Sequence, residues 1–214
     1  MDFGPNYACR WWYVNLKSLI AKSTWAGVDF GSKLAGTTAI SYLVDDQLKI
    51  DQITKGQDTD KWLVKTIKDN HWDYVFIDAP LSLPGAFFGS GDDYSYRKAD
   101  RLIGAMSPMF LGGLTARAIK LKSELSNNGV NCIEVYPGGY IRSQPSLSKF
   151  YDKKNLSTLS KMTDELSINL QYEFCEKPTN YHQLDSSICW YIGNKYLNGN
   201  AQSLGDPEEG LIWI

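Results

Sequence analysis

Two aspartates end apolar runs that have the composition of buried strands. Asp29 lies in WAGVDF, and Asp78 lies in WDYVFIDAP, which leads into a loop rich in Pro and Gly. A carboxylate at the end of a central strand is costly to desolvate unless a cation or hydrogen-bond donors meet it. Two such strands can bring their carboxylates together at one sheet edge, an arrangement that holds divalent cations. The alternative for Asp29 is that it only caps the turn after its strand.

A third acid leads the apolar stripe of the last predicted helix, which runs from about residue 183 to 196. Three apolar residues follow Asp185 at positions i+3, i+4 and i+7, so Asp185 faces the sheet and His182 lies about one turn earlier. The alternative is that Asp185 is an N-cap or a partner of the helix dipole. Glu134 lies in a further buried strand, VNCIEVY. The candidate catalytic residues are therefore Asp29, Asp78, Glu134, His182 and Asp185, and the candidate metal ligands are the three aspartates.

The chemistry that suits these residues is metal-dependent phosphodiester hydrolysis. Carboxylates prefer hard cations, so the expected cofactor is Mg²⁺ or Mn²⁺. Two ions about 4 Å apart would generate the attacking hydroxide and stabilise the leaving oxygen, and His182 would move a proton or orient a water. Competing motifs are missing, since the chain has no GxxxxGK[ST], HExxH or GxSxG, and its two histidines are too few for a His-rich zinc site.

The predicted elements place Asp29 and Asp78 at the same edge of a sheet. Strands over residues 25–30, 37–43 and 47–53 are joined by short turns, which is typical of an antiparallel meander. A helix over Thr59–Asn70 then leads to the strand that carries Asp78. A helix between two strands is a crossover, so we expect the Asp78 strand to run parallel to the first.

Basic residues surround the predicted site in the sequence. A loop over residues 80–91 and a polar segment over 94–102 form a candidate substrate-binding lid, although a solvated connection is the alternative. Residues 117–161 contain eight basic and three acidic residues, whereas 162–214 contain two basic and eight acidic ones. A basic middle suits a polyanionic substrate, but such charge runs are often only solvated faces. The candidate substrate-binding residues are Arg97, Arg101, Arg117 and Lys120.

Composition sets the wider limits. With 214 residues, 43% of them hydrophobic, the chain can bury a full core and is most simply one domain. A net charge of −2 argues against a strongly basic nucleic-acid coat protein. Four cysteines without a CxxC pair, no apolar run of about 18 residues and no signal peptide predict a cytoplasmic protein without a membrane partner. Residues 1–24, which include Trp11, Trp12 and Tyr13, form either a short helix or a loose N-terminal extension.

Seven segments in order carry a family resemblance: GVDFGSKLAG, FIDAPLSLPG, YRKADR, PMFLGGLTARA, IEVYPGG, HQLDSSICW and GDPEEGLIWI. They closely resemble the family known as domain of unknown function 429, which is described as predicted nucleases of RNase H-like fold. The similarity covers about residues 25–214. It implies an α/β, RNase H-like domain with a mixed five-stranded sheet, the first three strands antiparallel, and helices on both faces.

The resemblance also implies roles for the three aspartates. Asp29 matches the first-strand aspartate, Asp78 the acidic residue that ends the fourth strand, and Asp185 the aspartate of a His-x-x-Asp setting in the C-terminal helix. Ser186 and Ser187 depart from the usual small apolar residues at the next two positions. The expected function is a metal-dependent nuclease using a two-metal mechanism, with DNA or RNA as substrate left open. The alternatives are a nucleotide-binding protein of the actin-like or sugar-kinase type, and a non-catalytic nucleic-acid-binding domain of the same fold.

Overall fold

The computed structural model describes residues 24–214, and the predicted N-terminal extension with its two tryptophans lies outside them. A mixed six-stranded sheet forms the centre, with the spatial order β5-β4-β1-β2-β3-β6. Its strands are β1 (Trp25–Asp29), β2 (Ala39–Val44), β3 (Gln47–Gln52), β4 (Tyr74–Asp78), β5 (Asn131–Glu134) and β6 (Glu173–Phe174).

The pairing of the strands follows the predicted pattern at its centre. β1, β2 and β3 form the antiparallel meander, and β4 runs parallel to β1, with β5 parallel to β4. The α/β class and the antiparallel first three strands are thus confirmed. The predicted count of five strands is wrong, because β6 adds a two-residue parallel ladder to β3. A ladder this short has too few residues to show a periodicity in the sequence.

The C-terminal tail forms a separate hairpin of β7 (Ser203–Asp206) and β8 (Gly210–Trp213). This hairpin touches the main sheet through a parallel bridge between Val135 and Trp213, just beyond the end of β5. The tail therefore adds a second, two-stranded sheet beside the end of β5.

Among residues 24–214, eight α-helices connect the strands. They are α1 (Thr59–Asn70), α2 (Lys98–Ile103), α3 (Pro108–Leu111), α4 (Gly113–Ser126), α5 (Pro137–Ser143), α6 (Pro145–Ser148), α7 (Leu159–Leu170) and α8 (Tyr181–Leu197), with 3₁₀ turns at Gly85–Phe88 and Leu156–Thr158. Asp58 caps α1 by accepting hydrogen bonds from the N–H groups of Asp60 and Lys61. Asn180 caps α8 in the same way, which excludes the alternative that Asp185 is its N-cap.

Helices cover both faces of the sheet, as predicted. On one face, α1 and α4 pack Leu63 and Leu125 into a core cluster that contains Val28 and Ile77. On the other, α7 and α8 contribute to a second cluster around Phe76. Strand residues alternate between these clusters because successive side chains point to opposite faces. Among residues 24–214, no helix combines the length and apolar character needed to cross a membrane.

α8 lies unusually close to β1. A Cβ atom added to Gly27 would lie 2.0 Å from the backbone nitrogen of Trp190 and 2.5 Å from the carbonyl oxygen of Ser186. Only a glycine at this position lets the helix backbone rest directly on the strand. This contact fixes the height of α8, and hence of Asp185, relative to the end of β1.

Candidate active site

Asp29 and Asp78 lie side by side at the carboxyl ends of two adjacent parallel strands. They are direct register partners in the β1–β4 ladder. Both keep partial exposure, whereas the residues before them, Val28 and Ile77, are fully buried. The strands therefore hold the two carboxylates at an edge that solvent and ligands can reach.

Asp185 joins these two residues from α8 and is fully buried. The hydroxyl of Tyr151 donates to its Oδ1 at 2.6 Å. The Nζ of Lys153 lies 2.5 Å from its Oδ2, although Oδ2 makes no well-directed hydrogen bond. Because an ion pair depends on distance more than on direction, we regard this contact as a charge interaction that partly offsets the burial of Asp185. Asp29, Asp78 and Asp185 are called the acid cluster below.

His182 contacts the acid cluster through Asp29. Its Nδ1 lies 2.7 Å from Asp29 Oδ2, and about half of its side chain is exposed. The hydrogen bond to Asp29 raises the pKa of His182, against an opposing effect of burial. One ring nitrogen is thus fixed on a carboxylate, and the other, Nε2, is the one available for proton exchange.

Electrostatics shows that the three carboxylates interact. Burial raises the pKa of Asp78 well above its usual range, and the negative charges of Asp29 and Asp185 raise it further. Burial likewise raises the pKa of Asp185 to about 6, although Lys153 opposes this. Burial lowers the pKa of Lys153, but the charges of Asp185, Asp29 and Asp78 more than reverse that effect, so its pKa is raised. The cluster therefore attracts positive charge.

Glu134, a predicted catalytic residue, belongs to a different set of contacts. Its two carboxylate oxygens accept hydrogen bonds of 2.7 and 2.6 Å from Arg97, and Oε2 also accepts one from the N–H of Leu81. Arg97 binds Asp100 as well and reaches Ser82. Arg97, Asp100 and Glu134 are called the Arg97 network below. Arg97 has no exposed surface, and its guanidinium is engaged by Glu134 and Asp100, which favours a structural role over the predicted contact with substrate.

The other three basic candidates lie at the surface. Arg101 pairs with Asp93 and lies over the ring of Tyr96. Arg117 pairs with Asp60 and donates to the carbonyl of Gly31, two residues after Asp29. Lys120 and Arg117 line a cleft of about 410 Å³ between α1 and α4. Arg117 therefore connects this cleft to the turn that leaves the acid cluster.

Sequence reasoning missed Tyr151 and Lys153. They lie between α6 and the 3₁₀ turn at Leu156–Thr158, in a stretch that showed only a run of lysines. A charge run in a segment without periodicity gives no direction for its side chains. Their contact with Asp185 depends on how this segment folds back over the start of α8.

The donor atoms of the acid cluster suit a small hard cation. Within the described part of the chain, no three His, Cys, Asp or Glu side chains are arranged as a metal site. The contacts explain this, since His182 occupies one oxygen of Asp29 and Lys153 and Tyr151 occupy Asp185. Mg²⁺ is usually held by only one or two carboxylates together with waters and substrate phosphates. Asp29 and Asp78 are therefore the residues that could hold such an ion.

These features define the protein as an α/β domain with a mixed sheet and an acid cluster at the carboxyl ends of two central parallel strands. Comparison with known proteins adds no relative: no family model matches the chain, and neither a curated protein nor a solved structure does.

Proposed function

We propose that this protein is a metal-dependent phosphodiesterase of RNase H-like fold that hydrolyses nucleic acid. The observation that carries the proposal is the register pairing of Asp29 and Asp78, with Asp185 beside them. The strand order β3-β2-β1-β4-β5, with its antiparallel meander and two parallel strands, agrees with the architecture that the family resemblance implies. The sixth strand lies at the β3 edge, far from these residues in the strand order.

The cofactor would be Mg²⁺ or Mn²⁺, held by Asp29 and Asp78. When bound, such an ion lowers the pKa of a coordinated water and offsets charge on the phosphate. Asp29 has two oxygens for two tasks, because Oδ2 accepts the hydrogen bond of His182 and Oδ1 remains for the ion. Asp29 thereby orients the imidazole, and the raised pKa of His182 suits proton transfer at Nε2 near neutral pH.

Lys153 supplies a second positive charge beside Asp185. This favours one ion together with an ammonium group over the two ions of the sequence-based prediction. A second ion at Asp185 requires Lys153 to leave that carboxylate. Counting the Mn²⁺ ions bound per chain distinguishes the two arrangements, because one ion supports the former and two support the latter.

Nucleic acid is the proposed substrate because a cleft rich in basic side chains lies beside the turn that follows Asp29. Arg117 lies beside the turn after Asp29, and Lys33, Lys61, Lys65 and Lys120 line the same cleft. Acidic residues, Asp58, Asp60 and Glu124, also line it and pair with some of these cations. The five basic residues still outnumber the three acidic ones, which suits contact with a phosphate backbone.

The test is cleavage of labelled DNA and RNA in Mg²⁺ and Mn²⁺ by wild-type protein and by Asp78→Asn. We expect the variant to lose more than about 100-fold in rate, a larger effect than the loss of an outer-shell partner. Asp69→Asn is the matched control, since Asp69 is an exposed residue of α1 that pairs with Lys65. Asp78→Asn should not melt earlier than wild type, because it removes a repelling charge. Equal cleavage by Asp78→Asn and wild type would overturn the proposal.

A further inference from the structure

An exposed group of aromatic and methionine side chains lies in the region between β4 and α4. Its members are Phe87, Phe88, Tyr94, Tyr96, Met106 and Phe110, called the aromatic surface below. Phe88 and Phe110 are 71% and 70% exposed, and Met106 is 61% exposed. Single exposed apolar residues are common, but a group of large ones marks an interaction site.

The rings of this surface are arranged as two supported pairs. Phe87 and Tyr94 make an edge-to-face contact with centroids 5.3 Å apart. Tyr96 and Phe110 make a second, with centroids 5.9 Å apart, and the guanidinium of Arg101 lies 4.4 Å from the Tyr96 ring. An edge-to-face partner holds each ring without covering its outer face.

The backbone that carries the two pairs is fixed by local hydrogen bonds. Asp93 accepts from the N–H groups of Ser95 and Tyr96. The hydroxyl of Ser107 donates to the carbonyl of Ser95 and also accepts from the N–H of Met109 at the start of α3. Tyr94 and Tyr96 therefore flank Ser95, whose backbone is fixed by these bonds. Because the segment is already ordered, binding of a ligand costs little conformational entropy.

One member of the aromatic surface, Met106, lies beside the candidate active site. Met106 and Leu111 line a cleft of about 100 Å³ together with Asp78 and Pro80. Phe110 directly precedes Leu111, and Met106 precedes the anchoring Ser107. A ligand held at Asp78 and longer than this cleft would extend onto the exposed rings.

We infer that the aromatic surface binds the unpaired bases of a single-stranded nucleic acid whose backbone passes the acid cluster, an inference that rests on the proposed function. Exposed ring faces stack on any base, but bases in a duplex present only their edges in the grooves. Positive charge adjoins the rings at Arg101, whose guanidinium lies against the Tyr96 ring and also pairs with Asp93. This mixture of aromatic faces and cations is typical of single-strand binding.

The test measures binding without cleavage, so that it stays separate from the test of hydrolysis. A fluorescent oligothymidylate of about 12 nucleotides, the same backbone without bases, and a duplex of equal length are titrated in the absence of divalent cations. We expect the oligothymidylate to bind more tightly than the other two. Phe88→Ala and Phe110→Ala should each weaken its binding at least about fivefold, in the range of one lost base stack.

Ile168→Ala is the matched control, since Ile168 is 74% exposed on α7 and lies outside the aromatic surface. All three variants should keep the wild-type melting temperature because they change exposed side chains, and Phe110→Leu should lose binding while keeping apolar contact. Equal binding of the abasic backbone, or no effect of the phenylalanine variants, overturns the inference. So does self-association that Phe110→Ala abolishes, which would make the surface a contact between copies. Base-dependent binding without any cleavage would instead refute only the hydrolase proposal.

Discussion

Two groups of charged side chains in the described part of the chain differ in how their charge is compensated. In the Arg97 network, one guanidinium makes hydrogen bonds to both Asp100 and Glu134, and the N–H groups of Arg97 and Leu81 complete the shells of the two carboxylates. In the acid cluster, three carboxylates share one ammonium and one imidazole, Lys153 and His182. Burial raises the pKa of Glu134, and the charge and hydrogen bonds of Arg97 lower it. Burial also raises the pKa of Asp78, and most of the charged groups around Asp78 raise that pKa further.

The difference favours a structural role for the Arg97 network and fits the ligand-binding role proposed for the acid cluster. A buried carboxylate whose two oxygens both accept hydrogen bonds from fixed donors stabilises the conformation around it and attracts an added cation less. Carboxylates that repel one another keep the capacity to bind an added cation. The sequence analysis grouped Glu134 with the three aspartates, whereas its contacts with Arg97 favour a structural role.

The largest expected effect is the removal of Arg97. Arg97→Ala leaves Glu134 and Asp100 buried without their partner and should lower the free energy of unfolding by about 3–5 kcal/mol. Urea denaturation followed by circular dichroism measures this. The control is Arg101→Ala, whose exposed pair with Asp93 should change stability by less than about 1 kcal/mol. If both variants lose the same small amount, the Arg97 network is not structural.

A smaller effect is expected from the contact that positions Asp185. In Gly27→Ala the new methyl group would overlap the backbone of α8, and overpacking of this kind costs about 1–3 kcal/mol. Because the helix must shift, Mn²⁺ binding by the acid cluster should weaken as well. Gly113→Ala is the control, since nothing lies within 4 Å of its added Cβ. Unchanged unfolding and Mn²⁺ titrations in Gly27→Ala would show that α8 can move without affecting the site.

Lys153→Met tests whether the acid cluster is short of positive charge. Without divalent cations, the variant should melt at a lower temperature, because Asp185 loses its ion pair. Its affinity for Mn²⁺ should rise at least about tenfold, since the ammonium no longer repels the ion. Lys154→Met, at the exposed next position, should match wild type in both measurements. An unchanged or weaker Mn²⁺ affinity in Lys153→Met would mean that the ammonium does not compete with the ion.

The smallest expected effect is a dependence of stability on pH. The pKa of Asp185 is raised from 3.8 to about 6 in the folded state, so the folded protein binds more protons than the unfolded one between these values and gains stability as the pH falls through them. The raised pKa of His182 acts in the same direction, because its contribution is present below 6.5 and is lost as the pH rises through the folded value.

Wild type should therefore melt about 2–4 °C higher near pH 5.5 than near pH 7.5, the shift that about 1 kcal/mol produces in a chain of this length. His182→Gln and Asp185→Asn should each reduce the difference. A melting temperature that rises with pH over this interval would contradict the assigned protonation.

Much of the fold was accessible to local pattern. The predicted strand over residues 47–53, the predicted helix over Thr59–Asn70 and the apolar stripe of the last helix each matched an element close to its observed bounds, namely β3, α1 and α8. β6 and α6 were not predicted, because two and four residues carry no measurable period. The crossover by α1 also predicted that β1 and β4 are parallel, and the register of Asp29 with Asp78 agrees with that expectation.

The contacts of the site were less accessible. From the sequence, Arg97 was grouped with the substrate-binding residues, because a short polar segment has the same composition whether its basic side chains are exposed or buried. Glu134 was grouped with the aspartates because the partner of an acid among apolar residues cannot be identified until the chain folds. The partner of Glu134 is 37 residues away, and that of Asp185 is 32 residues away.

The amino-acid sequence by itself determined the α/β class, the antiparallel meander and the positions of three acids at the ends of buried elements. These follow from period and composition, which act over a few residues. Only the tertiary structure decided which buried carboxylate receives an arginine and which receives a lysine. That choice depends on packing between distant segments, because two charges interact strongly only when the fold brings them close together.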